Sequence, residues 1–127
     1  MALDTGNGAS YRTSPELLSR YGGASVTTLN SNPDGLFTAR PSEPVEANLK
    51  ALISTVRSGG YDLGVAHDGD ADRCVFVDER GGQFVDGDRS LALIVRHTAR
   101  NGDVVVTPVS TSDAIEEVCS EVGGPGL

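Results

Sequence analysis

The chain has 127 residues, enough for one domain with a real core, and carries a net charge of −8. At 38% hydrophobic and 5% aromatic residues the core is aliphatic; no apolar run is long enough for a membrane span, and Met1-Ala2-Leu3-Asp4 lacks the basic-then-apolar pattern of a secretory signal. Lys50 is the one lysine among ten basic residues, an acidic, lysine-poor balance that argues against a nucleic-acid groove and resembles proteins of high-salt cytoplasm.

Met1 to Leu3 read as a short strand, short enough to suggest that something upstream is missing. The loop Asp4-Thr5-Gly6-Asn7-Gly8-Ala9 follows. Its Gly-x-Gly lacks a third glycine at position 11, where Tyr11 stands, so it reads as a tight strand-to-helix turn, not a dinucleotide loop. Ser14 is expected to cap a helix with Pro15 in its first turn, Leu17, Leu18 and Tyr21 on its apolar side, and Gly22-Gly23 as its stop. Ala24 to Leu29 reads as a second strand. Asn30 to Pro44 is a loop of turn residues, long enough to be either functional or a connection wrapping the sheet edge.

Val45, Leu49, Leu52, Ile53 and Val56 recur at helical spacing, and Gly59-Gly60 ends that helix. Leu63 to Ala66 and Cys74 to Val77 read as strands, and Gln83 to Val85 returns on the latter as a hairpin after a turn at 79–82. Asp88 is expected to cap a helix carrying Leu91, Ile94 and Val95, with phosphate or metal binding by Asp86 and Asp88 as the sharper alternative. Val104-Val105-Val106 predicts a strand, and Ser110 to Asp113 the cap of a last helix with Ile115, Val118 and Val122, ended by Gly123-Gly124. Alternating strands and helices predict an α/β fold with a mixed, mainly parallel sheet flanked by helices, whose ligands bind at the carboxyl ends of the strands. Cys74 and Cys119 are far apart and make no metal-like pair, which fits a reduced, cytoplasmic chain.

The most informative stretch is Ala66-His67-Asp68-Gly69-Asp70-Ala71-Asp72-Arg73. Three acids alternating with small residues between two strands repel one another unless a cation sits among them, and an all-oxygen donor set points to a hard ion, Mg²⁺. An EF-hand would place Asp68, Asp70 and Asp72 at loop positions 1, 3 and 5 and Glu79 at position 12, but Arg73 stands where glycine is required and the flanks are strands. The Asp-x-Asp loop of haloacid-dehalogenase-type phosphotransferases also follows an apolar strand. It normally continues with Thr or Val, where this chain has Asp72, and lies near the N-terminus.

Asp68-Gly69-Asp70-Ala71-Asp72-Arg73 resembles the metal-binding loop of the α-D-phosphohexomutases, the phosphoglucomutase/phosphomannomutase family. Asp4 to Ala9, Asn32-Pro33-Asp34-Gly35-Leu36-Phe37, Arg40-Pro41-Ser42-Glu43-Pro44 and Gly87-Asp88-Arg89 resemble further stretches of its second domain, most like archaeal members, with Thr38 where those usually have Pro. The resemblance implies a second domain over 1–103, with its first strand truncated, and the first strand–helix unit of an incomplete third domain over 104–127. It implies Mg²⁺ on Asp68, Asp70 and Asp72, with Arg73 contacting the transferring phosphoryl group. The implied reaction moves a phosphoryl group between the 1- and 6-positions of a hexose phosphate, and the donor is a phosphoserine on another domain. No Ser-His-Asn-Pro-type phosphoserine loop occurs in these residues, so the chain alone is expected to be inactive. Two readings of other classes stand beside this one: a stand-alone Mg²⁺-dependent phosphatase or phosphotransferase of haloacid-dehalogenase type with Asp68 as nucleophile, and a noncatalytic interaction module. None of the three calls for nucleic acid or a membrane.

Overall fold

The computed structural model describes residues 1–80 and 82–123. Five short strands, β1 (Ala2–Asp4), β2 (Thr27–Leu29), β3 (Leu63–His67), β4 (Cys74–Asp78) and β5 (Phe84–Val85), form one sheet in the order β2-β1-β3-β4-β5. The sheet is mixed, as expected. β1 pairs in parallel with both β2 and β3, whereas β4 and β5 add antiparallel, so the two kinds of pairing share it evenly. Helix α1 (Thr13–Arg20) connects β1 to β2, and α2 (Lys50–Gly59) carries the chain back across β1 to β3. Of the two, α2 packs on the sheet, against β1, β3 and β4.

One core face is plain from the residues. Leu49, Leu52 and Val56 are buried against Ala2, Ala66 and Val77, with Ile53, Val75 and Phe84 around them. Gly64 lets α2 sit this close, because a Cβ there would lie 2.7 Å from a Val56 methyl. α2 begins later than the apolar spacing suggests. A 3-10 turn at Glu46–Asn48 precedes it, and Asn48 Nδ2 donates to Glu43 O at 2.8 Å, so Val45 is left exposed. Gly60, at φ +67°, ends the helix as expected.

α1 departs more from expectation. It starts at Thr13, and Ser14 does not cap it. Leu17 and Tyr21 are 58% and 83% exposed, so the apolar spacing there marks a solvent-facing stripe. The 79–82 turn includes Gly81, outside the described residues; on either side of it, Asp78 N donates to Gln83 O at 3.0 Å and the hairpin forms.

The chain divides into two compact units, Met1–Val85 and Asp86–Leu127. In the second, α3 (Gly87–Thr98) and α4 (Ala114–Glu121) pack through Val95, Ile115 and Cys119. The cap of α3 is Asp86, which accepts from Arg89 N at 2.9 Å; Asp88 lies inside the first turn instead. The strand expected at Val104 to Val106 is not formed. Among the described residues no strand pairs with it, and Val104 and Val106 are exposed. Of the Gly123-Gly124 stop, Gly124 lies outside the described residues.

One buried ion pair ties the strand ends of the first unit together. The Asp4 carboxylate accepts from Gly6 N at 2.8 Å, Asn30 Nδ2 at 3.0 Å and Arg40 Nε at 3.1 Å. Arg40, itself buried, also donates through Nη1 to Pro41 O at 2.9 Å and Ser42 O at 3.1 Å, and through Nη2 to His67 O at 2.5 Å. Removing one partner of such a pair leaves an uncompensated buried charge. Arg40→Ala is therefore expected to lower the unfolding free energy by about 3–5 kcal/mol in urea titrations, and a loss below about 1 kcal/mol would contradict the role given to the pair.

Candidate metal centre

The loop 68–73 joins the antiparallel strands β3 and β4, whose last register pair is His67 with Cys74. Asp68 N donates to Arg73 O at 3.4 Å across its mouth. Carboxylate oxygens of Asp68, Asp70 and Asp72 all lie within 4.8 Å of one another, with Asp68 buried and the other two exposed. Ala71 takes a left-handed conformation, φ +65°, uncommon for a residue with a side chain. Gly69 carries no Cβ where one would meet the Phe37 ring at 2.7 Å and would leave Ser42 only 3.4 Å away. Its carbonyl accepts from Ala9 N at 2.9 Å, and Gly8 lies so close that a Cβ there would be 2.4 Å from the same oxygen. A groove of about 300 Å³ runs beside it, lined by Asn7, Gly8, Tyr11, Pro33, Phe37 and Gly69 among others.

Arg73 is the local counter-charge. Its backbone N–H donates to Asp68 Oδ1 at 3.2 Å and its Nε to Asp68 Oδ2 at 2.9 Å, while Nη2 reaches Glu43 Oε1 at 2.7 Å. Nε also lies 3.6 Å from Asp72 Oδ1. Burial pushes the Asp68 carboxyl up, but hydrogen bonds from the Arg73 backbone and guanidinium outweigh it and hold the group below the usual carboxylate range. Asp72 moves the other way, raised first by its hydrogen bond with Asp68 and then by the charges of Asp70 and Asp68. Hydrogen bonds to Glu43 and Asp68 hold Arg73 even more firmly in its cationic form. The donor set suits a hard cation: three carboxylates converge, and every donor is an oxygen.

His67 braces the loop. Nδ1 is 3.3 Å from Arg73 O and in the neutral ring donates to it, which leaves Nε2 to accept from the Ser14 hydroxyl at 3.1 Å. The structure thus brings Asp68, Asp70, Asp72 and Arg73 together. Glu43, Arg40 and Asp4 are site-building residues to which the sequence reading gave no role. Their signal was present: an acid ending a strand, and two charged residues on either side of Pro41 in a long loop. Thr38 donates both its N–H, at 3.1 Å, and its hydroxyl to Asp34 Oδ2, bonds that a proline could not make. With the Leu36 N–H, they hold Asp34 below the usual carboxylate range.

Residues 1–82 match the family described as phosphoglucomutase/phosphomannomutase, alpha/beta/alpha domain II. The chain belongs to this family. A phosphoglucomutase/phosphomannomutase of Thermococcus kodakarensis is 43% identical over 97% of this chain and 27% of its own length. A probable phosphoglucosamine mutase of Methanothermobacter thermautotrophicus is 46% identical, again over 97% of this chain but 26% of the relative. The chain therefore spans about a quarter of the length of these curated relatives. Among solved structures, a phosphoglucomutase/phosphomannomutase family protein of Burkholderia thailandensis superposes with a TM-score of 0.85 at 27% identity, covering 99% of this chain and 28% of that one. Among the described residues no helix is long and apolar enough to cross a membrane.

The two shifted aspartates give a test. Asp72, whose folded-state pKa is raised, favours folding below the ordinary carboxylate range and loses that contribution as pH rises through its raised value. Asp68, lowered, contributes above the ordinary range and loses it as pH falls through its depressed value. A divalent ion held by these carboxylates would compete with protonation of Asp72. The rise in melting temperature on adding Mg²⁺ should therefore be larger at pH 7 than at pH 4 by differential scanning fluorimetry. An equal rise at both would count against binding at this cluster.

Proposed function

We propose that this chain is the metal-holding part of a phosphohexomutase, with Asp68, Asp70 and Asp72 as ligands for Mg²⁺. The observation that carries the reading is the convergence of three carboxylates within 4.8 Å at the carboxyl end of β3, inside the segment that matches the family. An all-oxygen donor set of this charge favours a hard divalent ion, and when bound the ion supplies a Lewis acid to the phosphoryl group. Phosphoryl transfer asks little covalent chemistry of the protein; it asks for positioning and for charge stabilisation. Arg73, cationic and at the rim of the cluster, supplies a guanidinium able to hold two phosphoryl oxygens at once.

In this reading residues 1–103 are the second domain and 104–127 begin the third. The substrate is a hexose phosphate, the donor a phosphoserine outside these residues, and the compartment the cytoplasm. The 127 residues alone catalyse no transfer. A phosphatase mechanism with Asp68 as nucleophile draws little support, because both oxygens of that carboxylate already accept from Arg73.

Titration calorimetry tests the metal. The chain should bind Mg²⁺, and Asp70→Asn should weaken binding by about tenfold or more, as changes in and around metal ligand sets do. Because Asp70 is exposed, the melting temperature of the ion-free variant should stay near that of the parent. Equal affinities would remove the assignment. Beryllofluoride should give no adduct at Asp68, and an adduct there would favour the phosphatase.

A further inference from the structure

Arg73 occupies two positions at once. Its Nε lies 2.9 Å from Asp68 and 3.6 Å from Asp72, against two of the three carboxylates of the cluster. Its Nη2 lies 2.7 Å from Glu43, which belongs to the 30–44 loop and not to the cluster. A divalent ion entering the cluster competes with the guanidinium for the same oxygens, and the two cations repel. Something must take up the guanidinium while Asp68 and Asp72 turn to the ion.

We infer that Glu43 is a positioning residue of the metal centre: it holds Arg73 from outside the cluster, so that Arg73 can give up Asp68 and Asp72 to the ion without losing its counter-charge. The inference takes the metal reading above as given. Glu43 is well placed for this. It follows Arg40 by three residues; Arg40 grips the carbonyl of His67 just before Asp68, and Glu43 grips Arg73 just after Asp72. One short stretch thus holds both ends of the metal loop. Asn48 Nδ2, bonded to Glu43 O, fixes the backbone from which Glu43 reaches. The side chains of Glu43 and Arg73 are each more than half exposed, so the exchange needs no burial or unfolding, and its size is that of a surface ion pair.

A double-mutant cycle tests this, with Mg²⁺ affinity measured by calorimetry on the parent chain, Glu43→Gln, Arg73→Gln and the double variant. Glu43→Gln should lower affinity about two- to five-fold in the parent background, because Arg73 is then left with only the cluster carboxylates to pair with. In the Arg73→Gln background the same change should leave affinity unchanged. An equal loss in both backgrounds would overturn the inference, since Glu43 would then act on the ion through its charge alone. No loss in the parent background would overturn it as well. A parent chain that binds no Mg²⁺ would sink both this inference and the metal reading, whereas binding without coupling would sink this one alone.

Discussion

The buried pairing of Asp4 with Arg40 is the constraint on which the site depends. A parallel sheet brings strand ends together, but it does not fix the loops that leave them. Here one carboxylate and one guanidinium do that. Asp4 ends β1 and takes hydrogen bonds from its own loop, from Asn30 just past β2, and from Arg40. Arg40 passes the constraint on to the last carbonyl of β3. Gly6 makes room for it: its left-handed backbone carries no Cβ, which would stand 2.6 Å from the guanidinium. Such a pair is a weak source of net stability, since desolvating two charges offsets most of their attraction. What it provides here is geometry, because every donor that Arg40 uses is aimed at a different segment.

The acidic loop is built on that frame. Asp68 is the residue after the carbonyl that Arg40 holds, which accounts for its burial while Asp70 and Asp72 stay in solvent. The three acids therefore differ in kind. Asp68 is anchored and held below the usual carboxylate range by Arg73, whereas Asp72 is raised by its hydrogen bond with Asp68 and by the charges beside it. A ligand set with one buried and two exposed members can close around an ion without moving the sheet.

Much of this was legible in the chain. Short continuous apolar runs flanking the acids located β3 and β4, and the helical spacing of Leu49, Leu52 and Val56, the imprint of burial on one face, located α2. The Asp-Gly-Asp-Ala-Asp-Arg run gave the cluster itself. The misses have physical causes. Val104 to Val106 has strand composition, yet a strand is defined by its partner, and none is present among the described residues. Leu17 and Tyr21 keep helical spacing without a core beneath them. Asp86 and Asp88 are equally good caps by residue type, and only the backbone decides between them. The Asp4–Arg40 and Glu43–Arg73 pairs span 36 and 30 positions, and no local pattern encodes a contact at that distance.

The back-to-back contact of Gly8 and Gly69 has a kinetic consequence. Ala9 N–H is bonded to the carbonyl of Gly69, so the glycine turn after β1 and the acidic loop after β3 share a main-chain hydrogen bond. Neither loop can shift outward without breaking it. The Ala9 amide thereby becomes a built-in reporter: its exchange with solvent deuterium tracks the parting of the two loops. An ion that draws the carboxylates together would slow that one amide, while amides in the middle of α2, held by the helix itself, would keep their own rate.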